Sequence, residues 1–234
     1  MIQRTLKADF LNSVANHPEV RPWLGGKGDV DWQSFLDDTG NVGLVCEDGG
    51  FVFCKLADGL YEVHSQFLPG ASAIQSLRDA LAWMFTHTDA AEIGTRVAAD
   101  NPAARGLALG VKAKRDFSLV TDPKTGGQVT FFSMTLANWA LEDPRCVAEG
   151  IAFHDLLKSA GKHDDHPEDG AHDAAVGATI LMCKGGQPAK AIWFYNRWAA
   201  LTGYGQIRAV NADPLIIDIG GSTIALIDGQ LEVI

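Results

Sequence analysis

Positive charge is in short supply in this chain. Nineteen Lys and Arg stand against 29 Asp and Glu, leaving a net charge of -10 and a pI of about 5.0. Long-range attraction to nucleic acid or to an anionic membrane is therefore disfavoured. No apolar run reaches the length needed to span a bilayer. Met1-Ile2-Gln3-Arg4 lacks the apolar core of a signal peptide, so a protein made and kept in a cytoplasm is expected. No C-x-x-C pair occurs among Cys46, Cys54, Cys146 and Cys183, which are expected to be buried free thiols in a reducing compartment. Internal repeats and low-complexity segments are missing too. What remains is ordinary globular material, with 47% hydrophobic and 21% charged residues, enough for one large domain or two small ones.

The first elements follow from periodicity. Residues 5–20 are expected to form a helix with Leu6, Phe10, Leu11 and Val14 on its buried face. Asn16-His17-Pro18 ends it, because a residue before proline avoids the α region. A short helix or turn over 31–36 is followed by strands at 41–46, 50–55 and 60–67. The dipeptides Asp48-Gly49 and Asp58-Gly59 join them into an antiparallel meander. Ser72 and Gln75 make a capping-box pattern before a helix carrying Ile74, Leu77, Leu81, Met84 and Phe85. A strand at 92–97, a helix at 101–110 with Pro102 in its first turn, and strands at 112–120 and 128–136 follow.

Beyond Asp143-Pro144 the pattern changes, which suggests two parts, 1–142 and 143–234. Helices are expected over 146–160, 171–184 and 188–202, the last two as an antiparallel pair across Gly185-Gly186. The tail, 207–234, reads as strands with a hairpin at Asp228-Gly229. Trp193-Phe194-Tyr195 and Trp198 cannot all share one helix face, so some of them are expected to meet a second surface.

Three groups of residues invite a functional reading. Pro69-Gly70-Ala71-Ser72 leads a strand into a helix N-terminus, where free backbone N–H groups can hold a phosphate. An ordinary capped helix accounts for the same residues equally well. Glu62 and His64 alternate on a strand and can face a substrate, or simply form its polar side. His163, His166 and His172, among Asp164, Asp165, Glu168, Asp169 and Asp173 with His154 upstream, have metal-ligating chemistry. No helical His-x-x-x-His or Glu-x-x-His pair accompanies them, and a solvated acidic loop with no metal is expected. Asp218-Ile219-Gly220-Gly221-Ser222-Thr223 looks like the phosphate loop of actin-like ATPases, but is expected only to turn one strand into the next.

The order helix, β-meander, helix, strand, helix, strand, strand over roughly residues 1–140 resembles the GNAT acetyltransferase fold. The fold class implied is mixed α+β, with a central mixed sheet flanked by helices, followed by a helical hairpin and a small β element. The resemblance implies that acetyl-CoA would lie across Phe67, Leu68, Gly70, Ser72, Ala73 and Gln75, with Asn101 beside the pantetheine arm. Glu62 or His64 would take a proton from an acceptor amine. The family's phosphate turn reads roughly Gln or Arg, two residues, Gly, one residue, then Gly or Ala. With Ala73 in the first glycine position, Gly70 and Gln75 fill the outer ones; with Gly70 there, Phe67 fills the first. Neither register matches well. The family's usual tyrosine acid would stand near Leu107, Ala108 and Leu109, none of which donates a proton.

Asn16 to Trp23, Trp83 to Asp89, Asn101 to Arg105, His172 to Gly177 and Tyr195 to Ala199 look like a GNAT-like protein of tailed-bacteriophage virions. That resemblance implies a virion or head–tail assembly protein made in a host cytoplasm. It would use the acetyltransferase fold as a scaffold and contact other virion subunits or its own copies. An active N-acetyltransferase and a CoA-binding module without turnover are the alternatives.

Overall fold

The computed structural model describes residues 1–122, 126–161, 169–212, 215–219, 222–227 and 230–234. They cluster into two compact units, one of residues 1–83 with 90–136, the other of residues 84–89 with 137–234.

In the first unit, β1 (Gln3–Thr5) precedes α1 (Asp9–Ala15) and α2 (Gln33–Leu36). Strands β2 (Val42–Cys46), β3 (Gly49–Ala57) and β4 (Leu60–Phe67) form the meander. Then come α3 (Ala73–His87), whose last turn from Met84 belongs to the second unit, β5 (Glu92–Ala98), α4 (Pro102–Gly110), β6 (Lys114–Thr121) and β7 (Gln128–Thr135). The strands make one seven-stranded sheet in the order β1-β2-β3-β4-β5-β7-β6. Every neighbouring pair is antiparallel except β4 with β5. This is the mixed α+β architecture expected from the sequence.

The two faces are covered differently. Ala8, Leu11, Ala15, Trp32 and Leu36 from the region of α1 and α2 pack on Val52 and Cys54 of β3. Val52 lies opposite His64 and Cys54 opposite Glu62, so the even-numbered side chains of β4 share that face. The buried Gln66 joins in: its amide donates to the Leu11 carbonyl at 3.2 Å and its oxygen accepts the Trp32 indole N–H at 2.8 Å. On the other face Val97 and Phe132 pack against Ala108 of α4. Helix α3 meets α4 through the Arg78 guanidinium, which donates to the Gly110 carbonyl at 3.0 Å.

Two expectations for the N-terminus are corrected. The helix over 5–20 is really a strand followed by a shorter helix. Leu11 and Val14 are buried as expected, but Leu6 and Phe10 are exposed. Ala8 starts the helix, its N–H held by the Gln33 side chain at 2.9 Å, and Leu6 lies before the first turn.

In the second unit α5 (Leu136–Glu142), unforeseen in the sequence, adjoins α6 (Pro144–Ser159). Asp143 separates them: its carboxylate accepts the Trp139 indole N–H at 3.0 Å and the Arg145 backbone N–H at 3.0 Å. Helices α7 (Gly170–Lys184) and α8 (Pro188–Thr202) follow, with Gly203 closing α8 in the left-handed conformation (φ 84°). Strands β8 (Arg208–Ala212), β9 (Leu215–Ile219), β10 (Ser222–Ile227) and β11 (Gln230–Val233) form an antiparallel meander. The expected hairpin at Asp228-Gly229 and the Gly220-Gly221 pair lie outside the described residues. In α8, Phe194 and Tyr195 are buried while Trp193 is exposed, with the Arg197 guanidinium over its ring at 5.9 Å.

Candidate functional site

Strands β4 and β5 pair only at Leu60↔Glu92, Tyr61↔Ile93 and Glu62↔Gly94. Beyond Glu62 and Gly94 no further pairing joins them among the described residues, though β4 runs on to Phe67 and β5 to Ala98. Each keeps its other neighbour, β3 or β7, over its full length. The two strands therefore part inside the sheet and leave a wedge with strand edges on both sides. Such edges can pair with an extended ligand that carries amide groups.

At the open end of β4 the chain turns into α3. The Ala71 N–H donates to the Leu68 carbonyl at 3.2 Å, with Pro69 and Gly70 between and Gly70 at φ 86°. Pro followed by a residue of positive φ is the chemistry of a type II turn, so Gly70 is explained by the turn itself. The first-turn N–H groups of α3 lack intrahelical acceptors by construction. The expected capping box is not made by Gln75, whose amide instead donates to Asp79, one turn on, at 3.0 Å. Ser72 is exposed and Ala73 half-buried. Phe67 packs edge-on against Phe51, with ring centroids 5.2 Å apart. Leu68 donates its N–H to the Asp48 carbonyl at 2.9 Å.

At the open end of β5, Asn101 caps α4. Its side-chain oxygen accepts the Ala104 N–H at 2.9 Å. The structural role of Asn101 is thus filled within the chain, and its amide N–H₂ is the part left for a ligand. Leu107 is half-buried, Ala108 buried and Leu109 exposed, so this helix offers no proton donor at those places.

Glu62 sits at the apex, where pairing stops. Arg96 of β5 grips it with both ends of its fork, Nε to Oε1 at 2.6 Å and Nη2 to Oε2 at 2.9 Å. Asp122 stands 3.9 Å from Arg96 Nη1. The Glu62 hydrogen bonds raise the Arg96 pKa above its ordinary value, against the opposing effect of burial. Cys54, opposite Glu62, has its thiol pushed up to about 11, mainly by burial and then by the Glu62 charge. His64 lies two residues along the same face, its ring 5.4 Å from that of Trp32. The structure thus brings Glu62 and His64 to one face and adds Arg96 and Asp122, which the sequence reading missed. A single arginine in an otherwise weakly charged strand, Glu92-Ile93-Gly94-Thr95-Arg96-Val97, was the one available signal.

Of the histidine-rich stretch, His163, His166, Asp164, Asp165 and Glu168 lie outside the described residues. His154, His172 and Asp173 are described and belong to the second unit.

No family model matches the sequence, and neither does any curated protein. Solved structures do match. A spermidine N-acetyltransferase from Vibrio cholerae, in complex with CoA and spermine, has a TM-score of 0.51 at 15% identity, covering 59% of this chain and 96% of that one. A mutant of that enzyme scores 0.49 at 15% identity over the same shares, 59% and 96%. A GNAT-family acetyltransferase from Bacillus anthracis scores 0.46 at 14% identity, covering 57% of this chain and 93% of that one. The fold likeness rests on the first of these, and it is to the acetyltransferase fold. It also corrects the expectation of a virion or head–tail assembly protein: the structure matched at this level is that of a spermidine N-acetyltransferase. No described helix is long and apolar enough to cross a membrane.

Proposed function

We propose that the chain is an acyl-CoA-dependent N-acetyltransferase, with its chemistry in residues 1–142 and residues 143–234 as an extension. The observation that carries this reading is the parting of β4 and β5 after Glu62↔Gly94, with a helix N-terminus at the mouth of one strand. The pantetheine arm of acetyl-CoA would lie in the wedge, along Phe67 and Leu68 on one side and Asn101 on the other. Its pyrophosphate would meet the backbone N–H groups near Ser72, Ala73 and Gln75, just past the Gly70 turn.

The acceptor is a primary amine, and the single net negative charge of the Glu62–Arg96–Asp122 group suits a cationic one. The amine nitrogen attacks the thioester carbonyl, a C–N bond forms, and the C–S bond breaks to release the CoA thiolate. Arg96 already occupies both oxygens of Glu62, so His64 takes the proton that leaves the amine. Glu62 and Arg96 then fix the local charge around it. With Leu107, Ala108 and Leu109 where an acid would stand, solvent protonates the thiolate.

Calorimetry with acetyl-CoA, followed by thiol release with a panel of amines including polyamines, tests the proposal. Saturable binding and amine-dependent CoA release are expected, with release falling at least tenfold in His64→Ala. Absence of binding at millimolar acetyl-CoA would overturn it. The Asn101 contact is tested by Asn101→Asp, which keeps the cap acceptor but removes the amide donor. Weaker acetyl-CoA binding at unchanged stability places the arm beside it.

A CoA-binding module without turnover is the second reading, favoured by the missing acid on α4. Binding with no release from any amine would select it.

A further inference from the structure

The second unit contains a cluster that the acyl-transfer reading does not use. We propose that His154, His172 and Asp173 form a binding site for a divalent transition-metal ion of the zinc class, holding α6 to α7.

The site follows from how closely the two helices approach. Gly150 of α6 lies so near α7 that a Cβ there would stand 2.0 Å from the Asp173 carbonyl oxygen. Gly177 of α7 lies equally near α6, where a Cβ would stand 1.7 Å from the Cys146 carbonyl oxygen. Matching 146 with 177 and 150 with 173 makes the pair antiparallel. One turn beyond Gly150 is His154, and one turn before Gly177 are Asp173 and His172. The two glycines therefore set the distance at which these side chains meet.

One ligand atom from each of the three residues lies within 4.8 Å of the other two. His154 Nε2 and Asp173 Oδ1 are 3.3 Å apart. Ligand atoms bonded at about 2.0–2.1 Å to a tetrahedral ion lie roughly 3.3 Å from one another, so this pair already has the required spacing. His172 uses its Nε2 toward the Tyr195 hydroxyl at 3.1 Å, which presents Nδ1 as its ligating atom. Both His154 Nε2 and His172 Nδ1 are buried.

The surroundings hold the rings in place. Phe153 meets His154 edge-on at 5.4 Å, and Tyr204 and Trp198 lie 4.8 Å and 5.5 Å from His172. Tyr204 stacks on Trp198 and donates its hydroxyl to Asp169 at 3.1 Å. A ligating histidine whose second nitrogen is engaged by a hydroxyl, within an apolar wall, has the outer support that metal-bound imidazoles use. Two imidazoles and one carboxylate select zinc or a neighbouring first-row ion over calcium or magnesium, and leave a fourth position for water or another donor.

The test uses the full chain stripped with chelator and titrated with Zn²⁺, and separately with Co²⁺. One ion per chain is expected, with a higher thermal midpoint and the visible absorption of four-coordinate cobalt. Asp173→Asn is close to isosteric and should weaken binding at least tenfold while melting like the wild-type protein in chelator. His154→Gln should do the same. The double variant His163→Ala/His166→Ala should bind as the wild type does. Unchanged zinc binding in Asp173→Asn and His154→Gln, or loss of binding in the His163/His166 variant alone, would overturn the proposal. So would a stripped protein that takes up no zinc at millimolar concentration.

Discussion

The Glu62 carboxylate accepts both ends of the Arg96 guanidinium fork at the residue where β4 stops pairing with β5. The Glu62 and Arg96 side chains are only 13% and 25% exposed, so water screens the pair weakly. Removing one partner would leave the other charge sheltered and uncompensated. Arg96→Met should therefore cost about 1–3 kcal/mol by urea denaturation, after allowance for the exposed part of the guanidinium. Glu62→Gln in the same chain should recover part of that loss. A double-mutant cycle with no coupling would show that the pair does not hold the apex of the wedge.

The crossing of α6 and α7 makes a sharper prediction. A methyl group at Gly177 would overlap the Cys146 carbonyl, and one at Gly150 the Asp173 carbonyl, in both cases backbone that cannot swing aside. Gly177→Ala and Gly150→Ala should each destabilise by more than about 3 kcal/mol or prevent folding. Gly94→Ala is the contrast. Its new methyl would lie 3.7 Å from the Phe132 carbonyl oxygen, an ordinary contact, and its cost should stay within about 1 kcal/mol. Thermal melts of the three proteins decide the matter.

The parts of this fold legible in the sequence are those specified locally. Asp48-Gly49 and Asp58-Gly59 announced the meander, and Pro102 and Pro188 opened α4 and α8 where expected. What failed had no local signal. Strand β1 is three residues long and largely exposed, so no alternation marks it. Helix α5 follows Thr135 of β7 directly, with no turn residue between them. The residues that join Glu62 at the apex had no local signal either. Glu62 and Arg96 are 34 positions apart and meet only through the short parallel pairing. Composition groups His154 with His172 and Asp173 along with four other acidic residues and two other histidines, and what singles these three out is the close approach of α6 and α7 at Gly150 and Gly177, which no local pattern shows.

Cysteine reactivity should follow burial. Cys54 and Cys183 are buried, and burial pushes their thiols up to about 11 and about 12. Cys146 is driven higher still, again mainly by burial. Only Cys46 is half-buried. Native protein at pH 8 should release one equivalent of thiolate chromophore from Ellman's reagent quickly, and all four cysteines should react after denaturation. Cys46→Ser should abolish the fast phase. Fast reaction of two or more thiols in the native state would contradict the buried placement of the others.

Lys190 closes the end of α3. Its ammonium donates to the Phe85 carbonyl at 2.7 Å and to the Thr88 carbonyl at 3.0 Å, and lies 5.8 Å from the Phe85 ring centre. A cation at a helix C-terminus satisfies orphan carbonyls and complements the helix dipole. Burial nevertheless lowers its pKa to about 8, with the Asp89 charge pulling the other way. The unfolded chain holds this proton up to its ordinary value of 10.5, so between about pH 8 and 10.5 the unfolded state binds more protons than the folded one. Stability from this group therefore rises with pH across that window, and below pH 8 the full desolvation cost is present. Lys190→Met removes the titration while keeping most of the stem's packing. Urea denaturation at pH 7.5, 8.5 and 9.5 should show the wild-type protein gaining on the variant as pH rises. A difference between the two that stays constant across those three points would mean that Lys190 titrates alike in the folded and unfolded states.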